Sequence, residues 1–160
     1  MVRSYRRYIV VETGISIGIN VAISAAFMLA VFGRTPLIDL WGAHGFALDF
    51  VPQTFMISAM SVWVPTLLTR RRVRAGVLAR RSPPPPLLLR RLPARIVLLA
   101  VVFTLTLGGI AVVALTMTWT GPLHFWQAFR LKLLYGGMVA LVATPLGLSL
   151  ALSDPDEEIP

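Results

Sequence analysis

Long apolar runs alternate along the chain with short clusters of charge. Four runs stand out: Ile9–Phe32, Phe46–Leu68, Ile96–Trp119 and Phe129–Leu152, each 23 or 24 residues long. A helix rises about 1.5 Å per residue, so roughly 20 residues cover the hydrocarbon core of a bilayer. Lipid offers no partner to a backbone N–H or C=O, so each run is predicted to be a helix, which satisfies those groups internally. The expectation is an all-α, polytopic membrane protein of four transmembrane helices, one membrane domain over residues 1–160. Arg3, Arg6 and Arg7 ahead of the first run resemble the basic start of a cleavable leader. The run is too long for a leader's apolar stretch, however, and Gly33-Arg34-Thr35-Pro36 is a poor cleavage site, so it reads as a retained span.

Composition supports this. Hydrophobic residues make up 56% of the chain and charged residues 14%. A single soluble core of this size could not hide so much apolar surface, which argues against a soluble enzyme or a disordered tail. The net charge of +8 would suggest nucleic acid in a soluble protein. Here it reports topology instead, and no nucleic-acid partner is expected. Of the 15 basic residues, 12 lie at the N-terminus or in the loop between the second and third spans, which carries nine arginines from Arg70 to Arg95. Only Arg34, Arg130 and Lys132 fall near the other side. The positive-inside rule places both termini and that loop in the cytoplasm, with Trp41, Trp119 and Trp126 as an aromatic belt opposite. In the loop, residues 70–95, Ser82-Pro83-Pro84-Pro85-Pro86 reads as an extended spacer and Leu87–Leu92 as a segment lying along the headgroups. The loop reads first as a topogenic charge cluster with a stiff connector; a docking site for anionic lipid or an SH3-like partner is the functional alternative. The acidic tail, residues 153–160, falls on the same side and is expected to screen the arginines as exposed pairs, worth ~0–1 kcal/mol each.

The spans also repeat. A shift of 80 residues lays the second span on the fourth, with His44 on His124, Phe55 on Tyr135 and Pro65 on Pro145. The first and third spans need a shift of 87 or 88, which puts Arg7 on Arg95 and Gly33 on Gly121. This predicts two tandem hairpins, 8–69 and 96–152, entering the membrane from the same side. Such parallel repeats are related by an axis along the membrane normal. The first half carries Ile19-Asn20, then Trp41, then Asp49-Phe50-Val51-Pro52-Gln53, then Pro65 with arginines after it. In this it resembles a family of very short two-span bacterial inner-membrane proteins of unknown function. The second half keeps Trp126, Ala128-Phe129 and Pro145 but lacks the early Pro and the Ile-Asn. The resemblance implies a duplicated form of that unit in a bacterial inner membrane, and no activity.

Ionisable residues inside a span are costly and are functional candidates by default. Here they are Glu12, Asp49, Arg130 and Lys132. Under the repeat the last three lie at similar depth, so Asp49 is expected to pair with Arg130 or Lys132. Glu12 begins a stripe with Ser16, Asn20 and Ser24, each four apart and hence near one helix face. Gly14 and Gly18 form a second stripe, for which Gly108 and Gly109 in the third span are the expected packing surface. Pro145 lies deep enough in the fourth span to kink it. His44 and His124 lack a third ligand at helical spacing, so no metal site is expected, and no cofactor. Protease, hydrolase and phosphate-loop motifs are missing, which points to a non-enzyme. Three readings follow: a structural or accessory subunit of a larger membrane assembly, with a membrane-protein partner or a second copy; a small proton- or cation-coupled transporter using Glu12; or a lipid or membrane-stress sensor acting through the arginine-rich loop.

Overall fold

The structure, a computed structural model, describes residues 2–42, 45–81 and 84–154, with side chains from Tyr5 onward. His44, the Ser82-Pro83 step and the tail from Pro155 lie outside the described residues, as does the side chain of Arg3. The elements are α1 (Val2–Phe32), β1 (Leu37–Ile38), α2 (Phe50–Arg74), α3 (Leu87–Arg90), α4 (Leu92–Phe103), α5 (Gly109–Thr118), β2 (Leu123–His124) and α6 (Phe125–Ala151). A five-residue π-helical segment, Thr104–Gly108, joins α4 to α5, so the two make one span. Among the described residues four helical stretches are therefore long and apolar enough to cross a membrane: Tyr5–Phe32, Phe50–Arg74, Leu92–Thr118 and Phe125–Ala151. The chain is a multi-pass, helical membrane protein.

The helix ends follow local chemistry rather than hydropathy. α1 stops at Gly33, whose φ of 58° takes up the left-handed turn after the helix, and its N–H donates to the Leu29 carbonyl at 3.0 Å. α2 runs past the apolar stretch through Arg70–Arg74 and closes at Gly76, φ 70°. Arginine is a good helix former, and cations suit a helix C-terminus. The chain from Phe46 to Asp49, expected as the start of that span, is a turn instead. Pro93 occupies the first turn of α4, where a missing N–H costs little. α6 starts four residues before the expected span because Gln127 reaches back to accept from the His124 N–H at 3.1 Å, capping the helix.

Packing centres on α6. α1 lies antiparallel against it, bringing Ile17 and Val21 near Gly137 and Ser16 to Thr144. α2 lies parallel to it, with Phe50 against Tyr135 at one end and Val62 against Gly147 at the other. The α4–α5 span packs on α2, where Gly108 faces Thr54. The first and second spans scarcely touch, since α1 and α2 lean on α6 separately, and the third and fourth meet only marginally. At the tryptophan-bearing end, the loops after α1 and before α6 join as an antiparallel pair, Leu37 opposite His124 and Ile38 opposite Leu123. This small β link joins two loops of an otherwise all-helical fold, as expected. It caps a core of Met28, Phe46, Phe50, Leu123 and Phe125. Phe32, Phe46, Phe50 and Tyr135 stack edge to face in series, with centroids 4.7–5.9 Å apart. Leu105, Met117 and Leu134 are highly exposed, as lipid-facing positions are.

Candidate functional site

The spacing Glu12, Ser16, Asn20, Ser24 places four polar groups along one line of α1, about 18 Å from first to last. That line faces inward: Ser16, Asn20 and Ser24 are buried. Each of the four meets a partner on α2 or α6. Glu12 pairs with Arg72. Ser16 accepts from the Thr144 hydroxyl at 2.7 Å. Asn20 Nδ2 donates to Ser61 Oγ at 3.2 Å and back to the Ser16 carbonyl at 2.8 Å. Ser24 accepts from Gln53 Nε2 at 3.1 Å. The seam ends at the ion pair between Asp49 and Lys132. Lys132 is buried beneath Phe32 and Phe46, its ammonium 5.3 and 5.8 Å from the two ring centroids. Hydrogen bonds between membrane helices average only ~0.6 kcal/mol, whereas breaking a buried charge pair costs ~3–5 kcal/mol. The buried Asp49–Lys132 pair therefore dominates the seam's energetics, and the half-exposed Glu12–Arg72 pair adds less.

The structure thus brings Glu12, Ser16, Asn20, Asp49 and Lys132 into one feature. Arg130, two residues before Lys132, is exposed and stands outside it. Of the glycines, Gly108 packs against Thr54, but a Cβ at Gly14, Gly18 or Gly109 would meet nothing within 4 Å. The expected contact between the two glycine stripes is not formed, because α1 packs on α6 rather than on the third span. The reason lies in α1 itself. Gly14 and Gly18 follow Glu12 and Ser16 by two residues, about 200° around the helix. Turning the polar line inward turns the glycines outward. Close approach is supplied instead by Gly136, Gly137 and Gly147 of α6, where a Cβ at Gly147 would lie 3.2 Å from the Val62 Cα. The spacing of these glycines along α6 is the signal in the sequence that could have found them.

At the arginine-rich end sits a second buried cluster. Asp154 takes Arg70 Nε at 2.9 Å and Arg95 Nη1 at 3.1 Å on one oxygen, and Arg95 Nη2 on the other. Arg95 also donates to the Leu89 carbonyl at 2.6 Å, and Arg70 to the Arg90 carbonyl at 3.2 Å. The side chains of Arg95 and Asp154 are 0% exposed. The expectation of a solvated tail screening exposed arginines fails at Asp154. That residue directly follows the last turn of α6, so the helix carries its carboxylate into the bundle. The rest of the loop is tied down nearby: the Tyr5 hydroxyl donates to the Ala79 carbonyl at 2.7 Å, and the Arg81 N–H to the Leu152 carbonyl at 2.8 Å.

Two clefts open along the furrow between α1 and α2. One, of about 500 Å³, is lined by Glu12, Ser16 and Asn20 with Ile19, Val64 and Leu68. The other, of about 420 Å³, is lined by Ser24, Asp49, Gln53 and Lys132 with Phe27 and Met56. They meet at Ile23, which lines both. Among the described residues no three His, Cys, Asp or Glu side chains converge as a metal site would need. His124 is exposed at the start of α6. The chain matches no protein-family model, no curated protein and no solved structure, so the seam, the arginine–aspartate cluster and the furrow are the features from which its role has to be read.

Proposed function

We propose that the protein is a non-catalytic structural or accessory subunit of a larger membrane assembly, an integral protein of a bacterial inner membrane with both termini cytoplasmic. The observation that carries this reading is the pairing of the embedded acids: Glu12, Asp49 and Asp154 each meet a base from another element. Charges held this way fasten helices together. The outward face of α1, with Gly14 and Gly18 open, supports a contact with a neighbouring helix, either a partner protein's or a second copy's. The packing pattern supports the tandem-repeat reading. α2 and α6 run parallel against each other, and each carries the leading span of the opposite half, α4–α5 on α2 and α1 on α6. An axis along the membrane normal that exchanges the halves accounts for both contacts.

The absence of cysteine makes the test direct. A single Gly18→Cys chain, oxidised in native membranes with copper phenanthroline, should form a disulfide between two copies if a second copy docks there, and otherwise mild detergent should copurify a partner. A chain that stays monomeric and uncaptured in its own membrane removes the subunit reading. Reporter fusions after residues 40 and 160 should lie on opposite sides; the same side for both would remove the four-span topology.

The transporter reading has one observation in its favour, the cleft beside Glu12 and Asn20. It requires Glu12 to release Arg72 in each cycle. Glu12→Gln in liposomes would abolish proton-linked cation flux if that cycle exists. The sensor reading is less well supported, because the arginine-rich loop is braced to the bundle through Asp154, Tyr5 and Leu152 rather than left free to respond.

A further inference from the structure

The furrow between α1 and α2 has a polar head and an apolar tail. Both helices lean on α6 more than on each other, and beside the hydrogen bonds that join them a groove remains as two clefts that share Ile23. Its lower half is walled by Ile15, Ile19, Met60, Val64 and Leu68, and its upper half by Phe27, Pro52 and Met56. Several of these are strongly exposed, Ile19 and Met56 at 54% and Phe27 at 56%, so the furrow faces the lipid. Ser24 and Glu12, at its two ends, are about 18 Å apart along α1. That is the reach of an extended hydrocarbon chain.

One unmet acceptor stands at the upper end, on Gln53. Gln53 uses its amide N–H groups on Ser24 Oγ and the Lys132 carbonyl, at 3.1 and 3.4 Å. Its carbonyl Oε1 is buried with no donor. At membrane depth water is scarce, so an orphan acceptor there is a standing demand for a donor. The terminal amide turns about a soft torsion, which lets Oε1 meet a head group entering beside Asp49. Asp49 is the accessible polar wall, its side chain 22% exposed, while Lys132 is 1% exposed and already paired. A phosphate or carboxylate head would be repelled by Asp49 and would find Lys132 already paired with it. A hydroxyl or ammonium head would donate to both Asp49 and Gln53.

We infer that this furrow binds a single-chain amphiphile with a hydrogen-bond-donating head, a long-chain alcohol or amine, its head at Asp49 and Gln53 and its chain running toward Glu12. The inference goes beyond the subunit reading and does not depend on it.

The test uses the full chain in nanodiscs and three photoreactive probes of equal chain length, with alcohol, amine and carboxylate heads, mapped by peptide sequencing. The alcohol or the amine, or both, should label Phe27 and Met56 at least about tenfold more than the carboxylate. Labelling by one alone identifies the head. Gln53→Leu should bring that labelling down to the carboxylate level. Because Gln53 also bonds Ser24, a second variant guards against misfolding: Ile19→Trp, at an exposed position, fills the lower furrow and should block the chain. Equal labelling by all three heads would mean ordinary boundary lipid and would overturn the inference. So would labelling that neither substitution reduces.

Discussion

Asp154 and Asp49 are both membrane-protein carboxylates paired with bases, yet their surroundings differ. Asp154 is fully enclosed and receives three N–H groups from two guanidinium forks, which are themselves held by the Leu89 and Arg90 carbonyls. Asp49 has a single lysine, keeps part of its side chain exposed and stands beside an orphan amide oxygen. The first site is saturated, and its chemistry is spent on holding the loop and the end of α6 together. The second is under-supplied, and leaves something for another molecule to complete. Burial and charge alone do not separate a fastener from a site; the count of unmet hydrogen bonds does.

The sharpest way to break this comparison is Asp154→Asn. It would leave Arg70 and Arg95 buried, with only one neutral acceptor between them. The loss should be large, ~3–5 kcal/mol. It should appear as a steep fall in thermal unfolding temperature in detergent and as protease cleavage within the loop. Lys132→Met should cost less, about 1–3 kcal/mol, because Asp49 keeps part of its side chain exposed and can draw on water. Combining it with Asp49→Asn should recover much of the loss, since removing both partners spares the lone charge. Equal costs for the two single substitutions would mean that the two carboxylates are alike after all.

Much of this architecture is legible in the sequence. Hydropathy locates the four spans, because the bilayer imposes a length on apolar runs that few other environments do. The fourfold spacing from Glu12 to Ser24 marks the inward line of α1. Matched depth puts Asp49 beside the right pair of bases, though it does not choose Lys132 over Arg130. That choice depends on which way each residue faces, and Lys132 turns inward beneath Phe32 and Phe46. The glycine stripe on α1 misleads for a similar reason: spacing shows that two residues share a face, not which neighbour that face meets. Asp154 stays hidden because hydropathy stops at the first charge, whereas α6 carries the chain onward until the carboxylate lies between two arginines.

Glu12→Gln is expected to have a smaller effect. Arg72 is 40% exposed and remains hydrated when its partner is neutralised. Exposed pairs contribute ~0–1 kcal/mol, so the unfolding temperature should move little. The sign of any change with salt adds information: screening should weaken the wild-type pair and leave the Gln variant indifferent.

The smallest effect on the isolated chain is expected at Gly18, and it bears most directly on the subunit reading. A Cβ there meets nothing within 4 Å, so Gly18→Ala is free of steric cost. Removing a glycine from a helix interior should stabilise by about 0.5–1 kcal/mol. Gly147→Ala is the control, because its Cβ would lie 3.2 Å from the Val62 Cα and force α2 and α6 apart. The two glycines should therefore change detergent stability in opposite directions. In the native membrane the order should change. If the outward face of α1 is where a neighbouring helix docks, the larger side chain of Gly18→Leu prevents close approach and should strip the partner from mild-detergent extracts, although the chain itself is no less stable. Glycine at that position would then be kept for what it admits from outside the fold, and a Gly18→Leu chain that retains its partner would move the docking face elsewhere on the bundle.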